Sequence, residues 1–344
     1  MTLGGWTNIS CKHDILLSVE LNYIKEIFMF KEMLGNMSIV STQVLTLFIL
    51  IILGTILTKT KMINRKGIEQ MTKMLLFIVN PCVIINSLNI RFEKEKAIGM
   101  IIVAACAVCI HFFAIIVGKY FFNKESVDKK TVLRYSVIFG NCGFMGIPMI
   151  EAVLGKDWVF YGVIYITIFQ LYLWTYGVTL MSGEKKISLK KIFINPGVIG
   201  TSIALILFFS PFKLPLPIMK SVGYISNLNT PLSMIILGSF LVGINIINAL
   251  KEKRLYIQAF LKLIFIPAAV IGVLSFLPIP VMVFRAISVS VCVPSAINVP
   301  LFATLYKKDA ALSSRIVAFL TISSMITMPL LISLGALLID LLGN

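Results

Sequence analysis

The chain has 344 residues, of which 58% are hydrophobic and 13% are charged, and its mean hydropathy is +0.96. Soluble domains carry charge on roughly a quarter of their residues, so this composition excludes a soluble globular fold and indicates a membrane protein with several spans. The net charge of +16 comes from Lys and Arg between apolar segments rather than from one basic face. We therefore expect the lipid bilayer as a partner and no nucleic acid.

Residues 1–38 precede the first apolar segment and mix both signs of charge. They contain no run of about 18 apolar residues, so they are not predicted to span a bilayer. Residues 15–34 fit an amphipathic surface helix. We treat 1–38 as an N-terminal extension and expect Met37, just before the first apolar run, to be the true start.

Ten apolar segments follow, each about 18 to 25 residues long, which matches a hydrocarbon core of about 30 Å at 1.5 Å per helical residue. They are 40–58, 70–88, 97–118, 132–154, 158–181, 193–210, 222–244, 255–277, 281–305 and 316–339. Lys and Arg are concentrated in the odd-numbered loops, and basic loops stay on the cytoplasmic side. The pattern predicts a multi-pass protein of the cell membrane with both termini extracytoplasmic.

Similar proline motifs recur in the two halves of the chain. The second span carries NPCVIINSL with Pro81, and the seventh carries NTPLSMIILGSFL with Pro231. The fourth and ninth spans carry FGNCGFMGIPM (139–149) and CVPSAINVPLF (292–302). Because five spans is an odd number, a second copy enters the membrane from the opposite side. We predict an all-α fold of two inverted five-helix repeats, 39–181 and 193–344, joined by a short cytoplasmic linker at 182–192.

The fourth and ninth spans contain residues that interrupt a membrane helix. Proline removes a backbone donor and glycine removes the side chain that stiffens a turn. Backbone groups freed in this way must be satisfied by protein or by a water-filled cavity, and a helix N-terminus favours anions. With Asn141 and Asn298 as neutral hydrogen-bonding groups, two such breaks predict a carboxylate site where the spans cross. A simpler interpretation is that these residues only kink packed helices.

Other polar residues within the spans are weaker candidates for lining the same cavity. Gln170 could reach it, although glutamine also bonds neighbouring helices. The motifs around Pro81 and Pro231 contain Asn80, Asn86, Asn227 and Asn229, and we expect these breaks to shape the cavity wall. Lys262 lies near a predicted span end, where snorkelling to the interface is the ordinary interpretation. No Asp or Glu falls at midplane, so coupling to H⁺ or Na⁺ has no evident residue.

The sequence lacks the common motifs of enzyme active sites. It has no phosphate-binding Gly-Lys-Ser/Thr loop, no HExxH motif and no Ser/His constellation. Its two His and six Cys show no ligand spacing. We expect no catalytic residue, no metal site and no cofactor. An anion channel and a ligand-binding membrane sensor stay open as alternatives to a transporter.

The motifs of the second, fourth and ninth spans resemble the auxin efflux carrier family, which includes plant PIN transporters and bacterial malate and malonate permeases. The resemblance implies a scaffold domain and a transport domain, arranged as in NhaA and the bile-acid symporters. It also implies a crossover at Pro148 and Pro300, and elevator motion of a homodimer. The short linker is similar to that of the bacterial members.

The resemblance further implies a transporter, for efflux or uptake, of a small organic anion such as an auxin-like acid, malate or malonate. It leaves open which acid is carried, in which direction, and whether H⁺ or Na⁺ is coupled. The candidate substrate-binding residues are Asn141, Gly143, Pro148, Asn298, Pro300, Pro294, Gln170, Asn86 and Trp174.

Overall fold

The computed structural model describes residues 5–90, 92–183, 196–210, 214–242, 244 and 249–342, with the side chains of 5–30, 32, 196 and 197 left undescribed. Over these residues the protein is helical and has no β-strand. Most of the predicted linker 182–192 lies outside the described residues. In place of a separate surface helix at 15–34, the structure has one continuous helix, Gly5–Lys59, that runs into the first span.

The described helices have the following bounds: α1 Gly5–Lys59, α2 Arg65–Ser87, α3 Lys94–Phe121, α4 Val127–Ile138, α5 Cys142–Leu154, α6 Lys156–Ser182, α7 Pro196–Phe209, α8 Leu216–Ser226, α9 Asn229–Leu241, α10 Lys253–Leu274, α11 Val281–Cys292, α12 Asn298–Leu305 and α13 Ala310–Leu342. Single π-helical turns interrupt α2, α6 and α10, and another opens α5. Turns of this kind are frequent at functional sites.

Six helices in the described part of the chain are long and apolar enough to cross a membrane: α2, α3, α6, α10, α13 and the segment Met33–Lys59 of α1. The predicted fourth, seventh and ninth spans are each divided into two shorter helices, α4/α5, α8/α9 and α11/α12. The protein is therefore a multi-pass helical membrane protein. The prediction of ten spans in two inverted repeats is not tested by these helix lengths.

One group of helices packs around a close contact between α1 and α9. A Cβ on Gly54 or Gly238 would collide with the facing helix backbone, so only glycine allows this approach. Thr55 Oγ1 donates a hydrogen bond to the Gly238 carbonyl at 3.0 Å, and Thr58 Oγ1 donates to Ser239 Oγ at 2.8 Å. Small residues and hydroxyl bonds of this kind hold helices together in lipid, where the hydrophobic effect does not.

A second group of helices surrounds the divided fourth and ninth spans. Helix α3 packs against α4 and α6, and α13 packs against α11 and α12. Arg285 on α11 forms an ion pair with Asp340 on α13, with Nη2 3.0 Å from Oδ1. In the first group, α2 packs against α7 and α8. The divided fourth and ninth spans thus belong to the second group, which meets the first where α13 packs against α1.

Candidate functional site

The two divided spans cross through a short antiparallel bridge of extended backbone. The chain leaves helical geometry at 139–141 and again at 293–297, and Gly140 pairs with Ser295. The Asn141 amide donates to the Pro294 carbonyl at 2.7 Å, and the Ala296 amide donates to the Phe139 carbonyl at 2.9 Å. Each break therefore satisfies backbone groups of the other, which an isolated break in hydrocarbon cannot do.

The crossing lies before the two prolines rather than at them. Pro148 stands in the helical turn that follows the π turn Cys142–Gly146, and Pro300 stands in the first turn of α12. Pro300 is tolerated there because the missing N–H has no acceptor in the first turn of a helix, whereas Pro148 lies inside α5, directly after a π turn. The expected crossover at Pro148 and Pro300 is therefore corrected to Gly140 and Ser295.

Side chains brace the end of α4 where it enters the bridge. Ser295 Oγ donates to the Ser136 carbonyl at 2.5 Å. The buried Gln258 Nε2 donates to the Leu133 carbonyl at 3.0 Å and to Ser136 Oγ at 2.8 Å. The bond from Ser295 satisfies a last-turn carbonyl of α4 that lacks an intrahelical partner, and the bonds from Gln258 attach the same end of the helix to α10. The geometry of the crossing is thus held by buried polar contacts from the second break and from α10.

A small cavity of about 40 Å³, here called the crossover cavity, opens beside this bridge. Its polar wall consists of amide side chains, namely Asn80 of α2, Asn141 of the first break, Gln170 of α6, Asn229 of α9 and Asn298 of α12. The rest of the wall is glycine backbone and apolar side chains, and no charged residue is among the described residues that line it. The wall can donate and accept hydrogen bonds without forming an ion pair.

Two of these amides are held in place by the protein. Asn229 is 3% exposed, and its Nδ2 donates to the Gly143 carbonyl at 3.3 Å. Its Oδ1 is buried without a hydrogen-bond partner among the described residues. Trp174 Nε1 donates to Gln170 Oε1 at 3.2 Å, which orients the Gln170 amide. Unsatisfied buried oxygens are uncommon in native proteins, so Asn229 marks a place where a donor group fits.

The structure brings together only part of the predicted site. The crossover cavity is lined by Asn141, Gly143, Gln170 and Asn298. Trp174 is not among the lining residues, but it donates a hydrogen bond to Gln170, which lines the cavity. Pro294 contributes its carbonyl to the bridge. Pro148 and Pro300 are not among its lining residues.

Asn86 lines a second, more open cavity, which shares Val83, Ile147 and Asn229 with the first. Its other walls carry Glu151 and Lys156, whose charged groups lie 3.7 Å apart. The shared residues make this second cavity a vestibule next to the crossover cavity. Asn86 therefore lines this neighbouring cavity and is not among the lining residues of the crossover cavity.

Sequence reasoning missed the position of Lys262. The interpretation that it snorkels to the membrane interface is wrong, because its side chain is only 5% exposed and lies in the π turn Phe260–Phe265 of α10. A Cβ built on Gly140 would lie 3.0 Å from Lys262 Nζ. The position of Lys262 along its span could have indicated that it is buried, since it lies well inside the span that runs from Lys253 to Leu274.

Comparison with known proteins places the chain among transporters. A model of the family described as membrane transport protein matches residues 39–186 and 184–332. The chain is 23% identical over 303 residues to the uncharacterized transporter MJ1031 of Methanocaldococcus jannaschii, covering 83% of this chain and 96% of that protein. The chain thus belongs to the membrane transport protein family, the family of auxin efflux carrier-like proteins.

Proposed function

We propose that this protein is a secondary transporter of a small organic anion, with a carboxylate bound in the crossover cavity. The observation that carries the proposal is the wall of the cavity, where Asn80, Asn141, Asn229 and Asn298 surround two paired helix breaks. The N–H groups of the amides and of the helix starts can donate several hydrogen bonds to a carboxylate. None of them holds the anion by direct ion pairing, which favours release as well as binding. The free Asn229 Oδ1 can only accept, so its partner would be a donor group elsewhere on the ligand, such as a hydroxyl.

Alternating access by elevator motion follows from where these asparagines are attached. Asn141 and Asn298 belong to the divided fourth and ninth spans, whereas Asn80 and Asn229 belong to α2 and α9. A bound anion would therefore touch both helix groups. Sliding of the crossing group against the other group would carry the site from one side to the other. We further propose a homodimer in the cell membrane with both termini extracytoplasmic.

Two other functions use the same cavity. An anion channel would need a polar path through the protein, and a membrane sensor would bind the anion without moving it. The apolar share of the wall favours a closed site over a continuous pore, because residues such as Val83, Ile84 and Phe169 line it. The choice of acid, the direction of transport and the coupling to H⁺ or Na⁺ are left to experiment.

The test is electrogenic uptake in proteoliposomes, recorded on solid-supported membranes. The panel contains indole-3-acetate, malate, malonate and acetate, each with and without gradients of H⁺ and Na⁺. We expect a saturable current with one or more acids that needs neither gradient, because no midplane Asp or Glu was found in the sequence. A current that does not saturate with concentration would instead support a channel. Binding without any current would support a sensor.

A further inference from the structure

Lys262 stands close to the crossing and carries a charge that the described residues of the cavity wall do not contain. Lys262 is 5% exposed, between the buried Leu261 and Leu263 of α10. Its ammonium approaches the bridge at Gly140, where an added Cβ would meet Nζ at 3.0 Å and Val293 Cγ2 at 3.1 Å. A side chain at position 140 would thus crowd the ammonium, which lies close to the crossing backbone.

No described carboxylate compensates this ammonium. The ion pairs of the described residues involve other cations, and none includes Lys262. A buried charge is strongly unfavourable without a partner. The nearby ends of α4 at Ile138 and α11 at Cys292 offer only the partial negative charge of helix C-termini. The local charge balance is therefore completed when an anion enters.

Gly140 is the point at which Lys262 and the crossover cavity come close. Gly140 lines the cavity, whereas Lys262 is not among the lining residues. A ligand at Gly140 would therefore be close to the ammonium, although Lys262 is not part of the cavity wall. At that separation Coulomb attraction is substantial in a medium of low dielectric, although no direct hydrogen bond forms.

We propose that Lys262 is the residue that makes the crossover cavity select anions over neutral molecules of the same shape. This inference rests on the proposed function, and it adds the source of charge selectivity to it. The amides of the wall recognise the oxygen atoms of the ligand, and Lys262 supplies the positive potential that favours the ionised form. Because the ammonium acts at a distance rather than by contact, it attracts the anion without a tight ion pair.

The experiment compares each acid with its amide, which has a similar shape but no charge. Purified protein in nanodiscs is titrated with indole-3-acetate against indole-3-acetamide, and with malonate against malonamide. The variants are Lys262→Gln and Lys262→Met, which remove the charge, and Lys262→Arg, which keeps it. Lys73→Gln, at an exposed position on α2, removes the same unit charge and serves as the matched control.

We expect the neutral variants to lose at least about tenfold in affinity for the acid, with the affinity for the amide unchanged within about threefold. Lys262→Arg and Lys73→Gln should keep the selectivity of the unaltered protein. Equal acid-to-amide ratios in Lys262→Gln and the unaltered protein would overturn the proposal.

Replacing an unpaired buried charge by a neutral group is often tolerated or stabilising, so folding should survive in at least one neutral variant. If both neutral variants fail to unfold cooperatively while Lys262→Arg does unfold cooperatively, the charge serves folding alone and the proposal fails. Failure of the proposed function has a different signature, because the unaltered protein itself would then bind no acid.

Discussion

Replacing Asn141 by alanine tests the carboxylate site most directly. The backbone of Asn141 forms the bridge through its amide, which donates to the Pro294 carbonyl at 2.7 Å. Alanine keeps this bond and accepts the same backbone conformation, since φ is −80°. The side chain is 3% exposed and lies in the cavity wall. The substitution therefore removes a hydrogen-bonding group from the site and leaves the crossing in place.

The expected loss follows from the kind of bond removed. A hydrogen bond to a charged partner contributes about 1.5–3 kcal/mol, which corresponds to about a 10- to 150-fold increase in the dissociation constant. The assay is isothermal titration of the acid that gives the largest proteoliposome current, with thermal unfolding of each variant recorded in parallel. Asn123→Ala, at an exposed position away from the cavity, is the control. A dissociation constant for Asn141→Ala within threefold of the unaltered protein, with normal unfolding, would refute the site.

Three further substitutions probe the scaffold, the orientation of Gln170 and the role of the fourth-span proline. Gly238→Leu should lower the free energy of unfolding by about 1–3 kcal/mol through overpacking against α1. Gly272→Leu should not, because an added Cβ there meets nothing within 4 Å. Equal unfolding temperatures of the two variants in detergent would contradict the close contact between α1 and α9. Trp174→Phe should weaken acid binding by about 3- to 10-fold, because one neutral hydrogen bond of about 1 kcal/mol orients Gln170, and no change in titration would contradict that role. Pro148→Ala should change the dissociation constant of the acid by less than about threefold, since Pro148 is outside the cavity wall. A tenfold loss of affinity would indicate that Pro148 does belong to the binding site.

The positions of the two breaks could be predicted from sequence only approximately. Pro148 and Pro300 drew attention to the correct segments, but the extended backbone begins earlier, at 139–141 and 293–297. Proline reports where a helix tolerates a missing donor, which includes its first turn. The pairing of Gly140 with Ser295 depends on contact between distant parts of the chain, and no local propensity records it.

The asparagines show both what the sequence reveals and what it hides. Asn141 and Asn298 were predicted from the interrupted motifs, and both line the cavity. Asn80 and Asn229 were expected only to shape the wall near Pro81 and Pro231, yet they line it as well. The depth of Lys262 within its span argues against snorkelling, but the sequence does not report which face of the helix meets the interior. Packing against the crossing buries Lys262.

The bridge also has a consequence for how the protein is made. Its two hydrogen bonds join the first break to a segment that the ribosome synthesises much later, and the neighbouring contact from Ser295 to Ser136 spans 159 residues. While the first half is already in the membrane, the Asn141 amide and the Phe139 carbonyl have no partner from the ninth span. Until then those groups need other partners, which a continued helix, water, lipid headgroups or the insertion machinery can supply. The fourth span therefore reaches its final backbone conformation only after the ninth span has been inserted.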